Sequence, residues 1–268
     1  MRHDKQSDDP ARDARACRVD IVIPVLNEAH VLERSVRTLQ AFLGQEQSFS
    51  SRIVVVDNGS TDGTDKVGRR LSADNPDLDY MHLSERGRGR ALRQAWAASD
   101  ADIVCYTDVD LSTELEALPK LIDAIRYDGF HVATGSRLMR GSRTTRSLKR
   151  EFISRSYNVF VKTVLWTAFS DAQCGFKALS RTAVTDLVPA VEDQSWFFDT
   201  ELLVLAEKWG YGVKDIPVRW AEDDDSRVKI MRTAWEDIRG VFRVRWRLWR
   251  DRLTATRSPS PASGRFAP

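Results

Sequence analysis

Three cysteines, Cys17, Cys105 and Cys174, are spread over 268 residues. They are too few, too scattered and odd in number for a disulfide framework or a zinc site, which points to a reducing compartment. No stretch approaches the roughly 18 continuous apolar residues that a bilayer-spanning helix needs, and the N-terminus has no apolar signal segment. A net charge of +2 makes no overall case for nucleic acid as a partner. There is no G-x-G-x-x-G after the first strand pattern, so a dinucleotide dehydrogenase is poorly supported. Lysine is scarce, 9 against 32 arginines, as in proteins of GC-rich bacterial genomes.

What is present is ordinary for a globular chain, 42% hydrophobic and 30% charged, with enough length to bury a sizeable core. Residues 1–17 are charged and without periodicity, and are expected to be a disordered leader. Then short apolar strands alternate with amphipathic helices. Val19 to Ile23 is followed by apolar spacing at Val31, Leu32, Val36, Leu39 and Phe42. Residues 53–56 lead into the turn D-N-G-S-T-D-G and a helix from Thr64. Residues 78–83, 90–98 and 103–106 read as strand, helix, strand. Such alternation predicts an α/β fold, a mostly parallel sheet covered on both faces.

In sheets of this kind ligands sit beyond the carboxyl ends of the strands. Asn27, Glu28, Asp57, Asp108 and Asp110 all lie there. The stretch Y-T-D-V-D-L-S places Asp108 and Asp110 two residues apart at a strand end, where both carboxylates can converge on Mg2+ or Mn2+. The bland alternative is a pair of acids that solvate the turn and cap a helix from Thr113. A carboxylate at Asp57 or Glu28 can accept hydrogen bonds from a base or a ribose, or else stabilise its own turn. Gly87-Arg88-Gly89-Arg90 puts guanidinium groups ahead of a helix N-terminus, where anions bind, though taken on its own the stretch reads first as a solvated glycine turn.

I-V-I-P-V-L-N-E, V-V-V-D-N-G-S-T-D-G-T, R-G-R-G-R-A-L, D-V-D, G-S-R and D-A-Q-C-G-F-K-A occur in that order. The chain thereby resembles family 2 glycosyltransferases of the GT-A fold over residues 18–230. W-F-F-D-T-E-L-L and W-A-E-D-D-D-S-R-V-K make it most similar to the polyprenyl-phosphate sugar synthases, the dolichyl-phosphate glucosyltransferase and mannose synthase branch. The resemblance implies that Pro24, Asn27, Glu28 and Asp57 line the nucleotide. It implies that Asp108 and Asp110 hold metal and diphosphate, with Ser112 completing the metal shell, and that Arg137, Arg227 and Lys229 meet phosphates. Leu26 stands where many relatives have tyrosine, and Arg88 where many have lysine.

The implied reaction is inverting transfer from a nucleotide-sugar, a UDP-hexose or UDP-N-acetylhexosamine ahead of GDP-mannose, to a polyprenyl phosphate for cell-envelope glycans. A phosphate acceptor is already ionised near neutrality; a hydroxyl acceptor would need a base, for which Asp199 and Asp171 are candidates. The rival readings are a soluble family 2 enzyme acting on a hydroxyl and a catalytically silent nucleotide-sugar-binding membrane adaptor. A processive synthase would need transmembrane helices and Q-x-x-R-W.

A lipid acceptor implies a peripheral enzyme on the cytoplasmic side of the plasma membrane. Two segments suit it. Residues 142–170 join a basic run to an apolar one. In the helix expected over 231–253, Trp235, Ile238, Phe242, Trp246, Trp249 and Leu253 form one stripe at 100° per residue. Arg239, Arg243, Arg247 and Arg250 edge it, as in an interfacial helix, while Val241, Val244 and Leu248 form a separate stripe suited to packing on the body. The alternative docks the aromatic stripe into the core or a second subunit. Residues 254–268 are Ser-, Pro- and Thr-rich and expected to be disordered.

Overall fold

The computed structural model describes residues 17–145, 147–221 and 230–253. The expected leader and tail, and Arg227 and Lys229, lie outside them. The first half is three strand-helix repeats and a fourth strand: β1 (Arg18–Val25), α1 (Leu32–Leu43), β2 (Ser50–Asn58), α2 (Thr64–Asp74), β3 (Leu78–Leu83), α3 (Arg88–Ala98) and β4 (Ile103–Thr107). The second half holds α4 (Leu118–Arg126), β5 (Val132–Ser136), β6 (Arg143–Thr145), α5 (Leu148–Leu165), β7 (Phe176–Ser180), α6 (Arg181–Leu187), α7 (Phe198–Lys208), β8 (Val213–Pro217), β9 (Arg219–Ala221) and α8 (Ile230–Leu253).

The sheet order is β3-β2-β1-β4-β7-β5-β8, with β6 and β9 paired separately. Alternate residues of each central strand feed opposite cores. Val19, Ile21, Ile23 and Val25 pack with α1, Leu71 of α2 and α4 on one face. Val22, Val54, Val56, Val104 and Tyr106 pack with α3, α6, α7 and the inner sides of α5 and α8 on the other. Burial on both faces is why these strands read as continuous apolar runs rather than alternating ones.

The sequence pattern does not show that β7 runs antiparallel to both neighbours, β4 and β5. Thr107, the last residue of β4, pairs with Phe176, the first of β7. The chain therefore enters β7 at the edge where its parallel neighbours end, and the residues before β7 line the same crevice as the residues after β1, β2 and β4. The expected helix from Thr113 is absent: Thr113 bridges Trp220, and α4 begins at Leu118.

Candidate active site

Arg88 is the centre of the crevice. It lies in the first turn of α3, and its guanidinium donates to Asp108 Oδ1 at 2.8 Å and to Tyr106 Oη at 3.2 Å. Its other terminal nitrogen lies 3.2 Å from Asp199 Oδ2. Asp199, 1% exposed, also accepts from Tyr106 Oη at 2.5 Å and pairs with Lys177 Nζ at 3.1 Å. Lys177 is itself fully buried in β7 and donates to the Cys174 carbonyl at 2.5 Å. Asp108, Arg88, Asp199 and Lys177 thus alternate in sign, which is what lets the last three sit in the interior while the Asp108 side chain stays 42% exposed. The Arg88 guanidinium lies over the Trp196 ring at 4.9 Å and over the Tyr106 ring at 5.1 Å, so two aromatic rings contact the planar cation.

Burial pushes the Asp108 carboxyl up, and the Asp110 and Asp199 carboxylates add to that against the pull of Arg88. Asp110 is exposed, with one oxygen accepting from Ser112 N at 2.9 Å. Leu111 between them has φ 51°, a left-handed conformation that costs a non-glycine residue about 1–2 kcal/mol. It turns the chain so that Leu111 N reaches the Asp108 carbonyl at 3.1 Å. The Ser112 hydroxyl is buried without a partner. Two carboxylates and an orphaned hydroxyl make an all-oxygen donor set, which fits Mg2+ or Mn2+. No three His, Cys, Asp or Glu side chains converge on a metal position among the described residues. The fit therefore rests on Asp108, Asp110 and Ser112.

The first two strand-end loops are fastened together. Pro24 is buried in β1, in register with Val56. Asn27, at φ 60°, donates from its backbone to Ser60 Oγ at 2.8 Å and accepts at Oδ1 from Thr61 N at 2.8 Å. Glu28 N donates to Thr64 Oγ1 at 2.9 Å. Asp57 is fully buried and accepts from Ser60 N at 2.9 Å and Tyr80 Oη at 2.8 Å, with His82 Nδ1 at 3.3 Å. Burial alone would raise its carboxyl, but these hydrogen bonds outweigh it and hold it below the usual range. Asp57 organises the loop in this geometry.

Several expectations are corrected here. Asp171 is fully buried and grips Arg137, at 2.7 Å to Nε and 2.9 Å to Nη2. Burial alone would raise Asp171, but the guanidinium and two backbone N–H groups hold it down at about 2, so it is a poor proton acceptor near neutrality. Asp199 is enclosed by Arg88, Lys177 and Tyr106. Lys208, at the far end of the same helix, donates to the Trp166 carbonyl at 2.6 Å. The glycines of R-G-R-G-R do not leave a helix N-terminus open to anions, because Gly89 N and Arg90 N donate to the carbonyls of Ser195 and Gln194. A Cβ on Gly89 would lie 2.6 Å from Phe198 Cβ. Close packing of two segments explains that glycine.

The C-terminal helix divides its faces sharply. Val241 and Val244 are buried, and Gly240 sits where a Cβ would meet the Phe197 ring at 2.5 Å. Trp235, Phe242, Trp246 and Trp249 are exposed, Trp246 at 63%, which excludes docking of that stripe into the core. Phe160 of α5 meets Phe242 edge-on at 6.1 Å, and Arg245 covers Trp166 at 4.2 Å. Phe152, Val159 and Trp166 extend the apolar face onto α5. Arg243 and Arg247, expected to edge this face toward lipid, turn inward. Arg243 donates to Glu192 at 2.7 Å and to Glu201 at 2.8 Å, and Arg247 to the Ala190 carbonyl at 2.6 Å. The cause is Glu201, a fully buried carboxylate that requires cations. No helix among the described residues is long and apolar enough to cross a membrane.

Tyr106, Lys177, Trp196 and Gly175 complete the cluster around Arg88, Asp108 and Asp199 and were not singled out from the sequence. Only Lys177 left a signal, a lone charge in the apolar strand F-K-A-L-S. A Cβ on Gly175 would stand 1.8 Å from Asp108 Oδ2 and 2.8 Å from Arg88 Nη2, so D-A-Q-C-G brings bare backbone against the central ion pair.

The family model described as Glycosyl transferase family 2 matches residues 20–188. Glycosyltransferase AglD of Haloferax volcanii is 37% identical over 250 residues, 91% of this chain and 40% of AglD. The chain thus spans about two fifths of that relative's length. The dolichyl-phosphate beta-glucosyltransferase of Saccharomyces cerevisiae is 27% identical over 231 residues, covering 79% of this chain and 69% of that one. Among solved structures, glucosyl-3-phosphoglycerate synthase from Mycobacterium tuberculosis, in complex with Mn2+, uridine diphosphate and glucosyl-3-phosphoglycerate, superposes with TM-score 0.64. It is 18% identical and covers 88% of this chain and 81% of that one, a likeness of fold. With the acidic turn at the end of β4, the mostly parallel sheet and these relatives in agreement, the chain belongs to glycosyl transferase family 2 and has the GT-A fold.

Proposed function

We propose that the protein transfers a hexose from a UDP-sugar to a polyprenyl phosphate, with inversion, at the cytoplasmic surface of a membrane, supplying lipid-linked sugar for envelope glycans. The observation that carries this reading is the exposed aromatic face shared by α5 and α8, borne by a helix whose inner side is fastened to the segments around Asp199 and Gly175. Such a face, with tryptophans at headgroup depth, suits an interfacial enzyme whose acceptor lies in the bilayer. The dolichyl-phosphate glucosyltransferase relatives support the same acceptor class, and the UDP complex of the structural neighbour supports the donor.

The chemistry follows from charge. Asp108, Asp110 and Ser112 would hold Mg2+ or Mn2+, which when bound supplies positive charge against the departing diphosphate. Arg88 keeps Asp108 oriented, and Arg137, Arg227 and Lys229 would meet the phosphate groups. Pro24, Asn27, Glu28 and Asp57 shape the base and ribose site through the two joined loops. The acceptor phosphate, with a second pKa of about 6, needs no general base. That agrees with Asp171 and Asp199 both being committed to cations, and it favours a phosphate over a hydroxyl acceptor.

The test is incubation of the purified protein with a bacterial polyprenyl phosphate in detergent and magnesium. Radiolabelled UDP-glucose, UDP-galactose, their N-acetylamino counterparts and GDP-mannose are supplied in turn. Label moving into organic solvent from one UDP-sugar, and lost with EDTA, is the expected result. Transfer to an added sugar or peptide but not to lipid overturns the acceptor assignment and leaves the family intact.

A further inference from the structure

One buried acid has no part in the machinery above. Asp237, on the inner side of α8, is 3% exposed. Its Oδ2 accepts from Gln173 Nε2 at 2.6 Å, and its Oδ1 has no partner. Gln173 lies between two residues that act on the crevice. Two positions before it, Asp171 grips Arg137 and accepts from Gln173 N at 3.1 Å. Two positions after it, Gly175 presses on Asp108 and Arg88.

The rest of α8 is anchored to the other wall of the crevice, where Gly240 meets Phe197, and Arg243 and Arg247 meet Glu192, Ala190 and Glu201. The Asp237 contact ties α8 to the D-A-Q-C-G wall by a hydrogen bond. A packed apolar pair would have served for stability alone; an acid with one orphaned oxygen in the interior is costly and has to be accounted for.

We propose that Asp237 is a positioning residue for sugar transfer: through Gln173 it sets the segment that presents Arg137 and Gly175 to the Asp108–Arg88 pair, and so joins the helix bearing the aromatic face to the catalytic crevice. The inference rests on the transferase reading of the crevice. It has a consequence in pH. Burial raises the Asp237 carboxyl to about 7, opposed by the Gln173 hydrogen bond and assisted by Asp193, Glu236 and Asp199. Tyr157 of α5 also faces it, its hydroxyl within 3.0 Å of Thr200 Oγ1. These carboxylates all disfavour the ionised form. Above about pH 7 Asp237 becomes an anion whose Oδ1 has no donor, and the tie to Gln173 is held against repulsion from its surroundings.

The experiment measures transfer kinetics between pH 6 and 8.5 for the wild-type full chain, Asp237→Asn, Asp237→Ala, Gln173→Ala and the double alanine variant. Asp237→Asn keeps an acceptor for Gln173 and cannot ionise. It is expected to keep kcat within about twofold at pH 6, with the ratio of wild-type to variant kcat falling as pH rises through about 7. Asp237→Ala and Gln173→Ala are each expected to lower kcat by about tenfold, with donor KM within about twofold, because a misplaced wall slows transfer. The double variant is expected to lose no more than either single one.

Wild-type kcat in the Gln173→Ala variant, which removes only a half-buried side chain, overturns the proposal. So does a wild-type to Asn ratio that is flat in pH, or a double loss equal to the product of the single ones. A wild-type protein inert toward every donor overturns the transferase reading and this inference with it, whereas an active wild type with unaffected variants overturns this inference alone.

Discussion

Gly175→Ala is the substitution that tests the crevice most directly. The added methyl would begin 1.8 Å from Asp108 Oδ2, 2.5 Å from Asp108 Cγ and 2.8 Å from Arg88 Nη2. A non-bonded contact relaxes near 3.5 Å, so the carboxylate has to move by roughly 1.7 Å. It cannot do so while keeping the 2.8 Å bond from Arg88, and a hydrogen bond to a charged group contributes about 1.5–3 kcal/mol net. Loss of unfolding free energy by that amount is expected in urea, read as a lower midpoint at unchanged slope. Displacement of the carboxylate by more than 1 Å is expected to lower kcat/KM by roughly 10²-fold, with binding of UDP in the presence of manganese weakened in calorimetry. The same variant leaves α8 and its aromatic face untouched, so binding to anionic vesicles should match the wild type. A Gly175→Ala protein with wild-type kcat/KM and an unshifted urea midpoint would refute the placement of D-A-Q-C-G against Asp108.

Trp246→Ala combined with Trp249→Ala should weaken binding to anionic vesicles while UDP affinity is unchanged. The exposed half of each ring is worth roughly 2 kcal/mol on entering the headgroup layer, so a loss of at least ~10²-fold in partitioning is expected; equal vesicle binding would assign the face to a protein partner. Arg243→Ala should behave in the opposite way. It leaves Glu201 buried with Arg247 at 3.7 Å and lowers stability by about 1–3 kcal/mol, with vesicle binding retained, and a loss of vesicle binding without a loss of stability would return Arg243 to the lipid edge. Asp171→Asn addresses acid stability. The Asp171 carboxyl is held at about 2, below its unfolded value of about 3.9. Its contribution of roughly 2–3 kcal/mol is therefore complete above about pH 4 and lost as pH falls toward 2. The stability gap between wild type and variant should close over that window, and a gap that persists at pH 2 would contradict the ion pair with Arg137.

The sequence by itself determined the strand-helix alternation, because a strand buried on both faces must be apolar throughout and a covering helix must be amphipathic. It determined that Asp108 and Asp110 stand at the end of β4, since the apolar run Ile103 to Tyr106 gives way there to two carboxylates one residue apart. It determined that α8 carries separate aromatic and aliphatic stripes, which follow from 3.6 residues per turn. What only the tertiary structure decided depends on partners far apart in the chain. The reversal of β7 has no signature in its own five residues, yet it brings residues 171–175 to the crevice. The fate of each charge was likewise undetermined locally. Arg243 reads as a surface cation until Glu201 is found buried opposite it, and Asp199 reads as a base until Arg88 and Lys177 close on it. A charge takes its role from the burial and sign of what faces it, and that is a property of the packed chain.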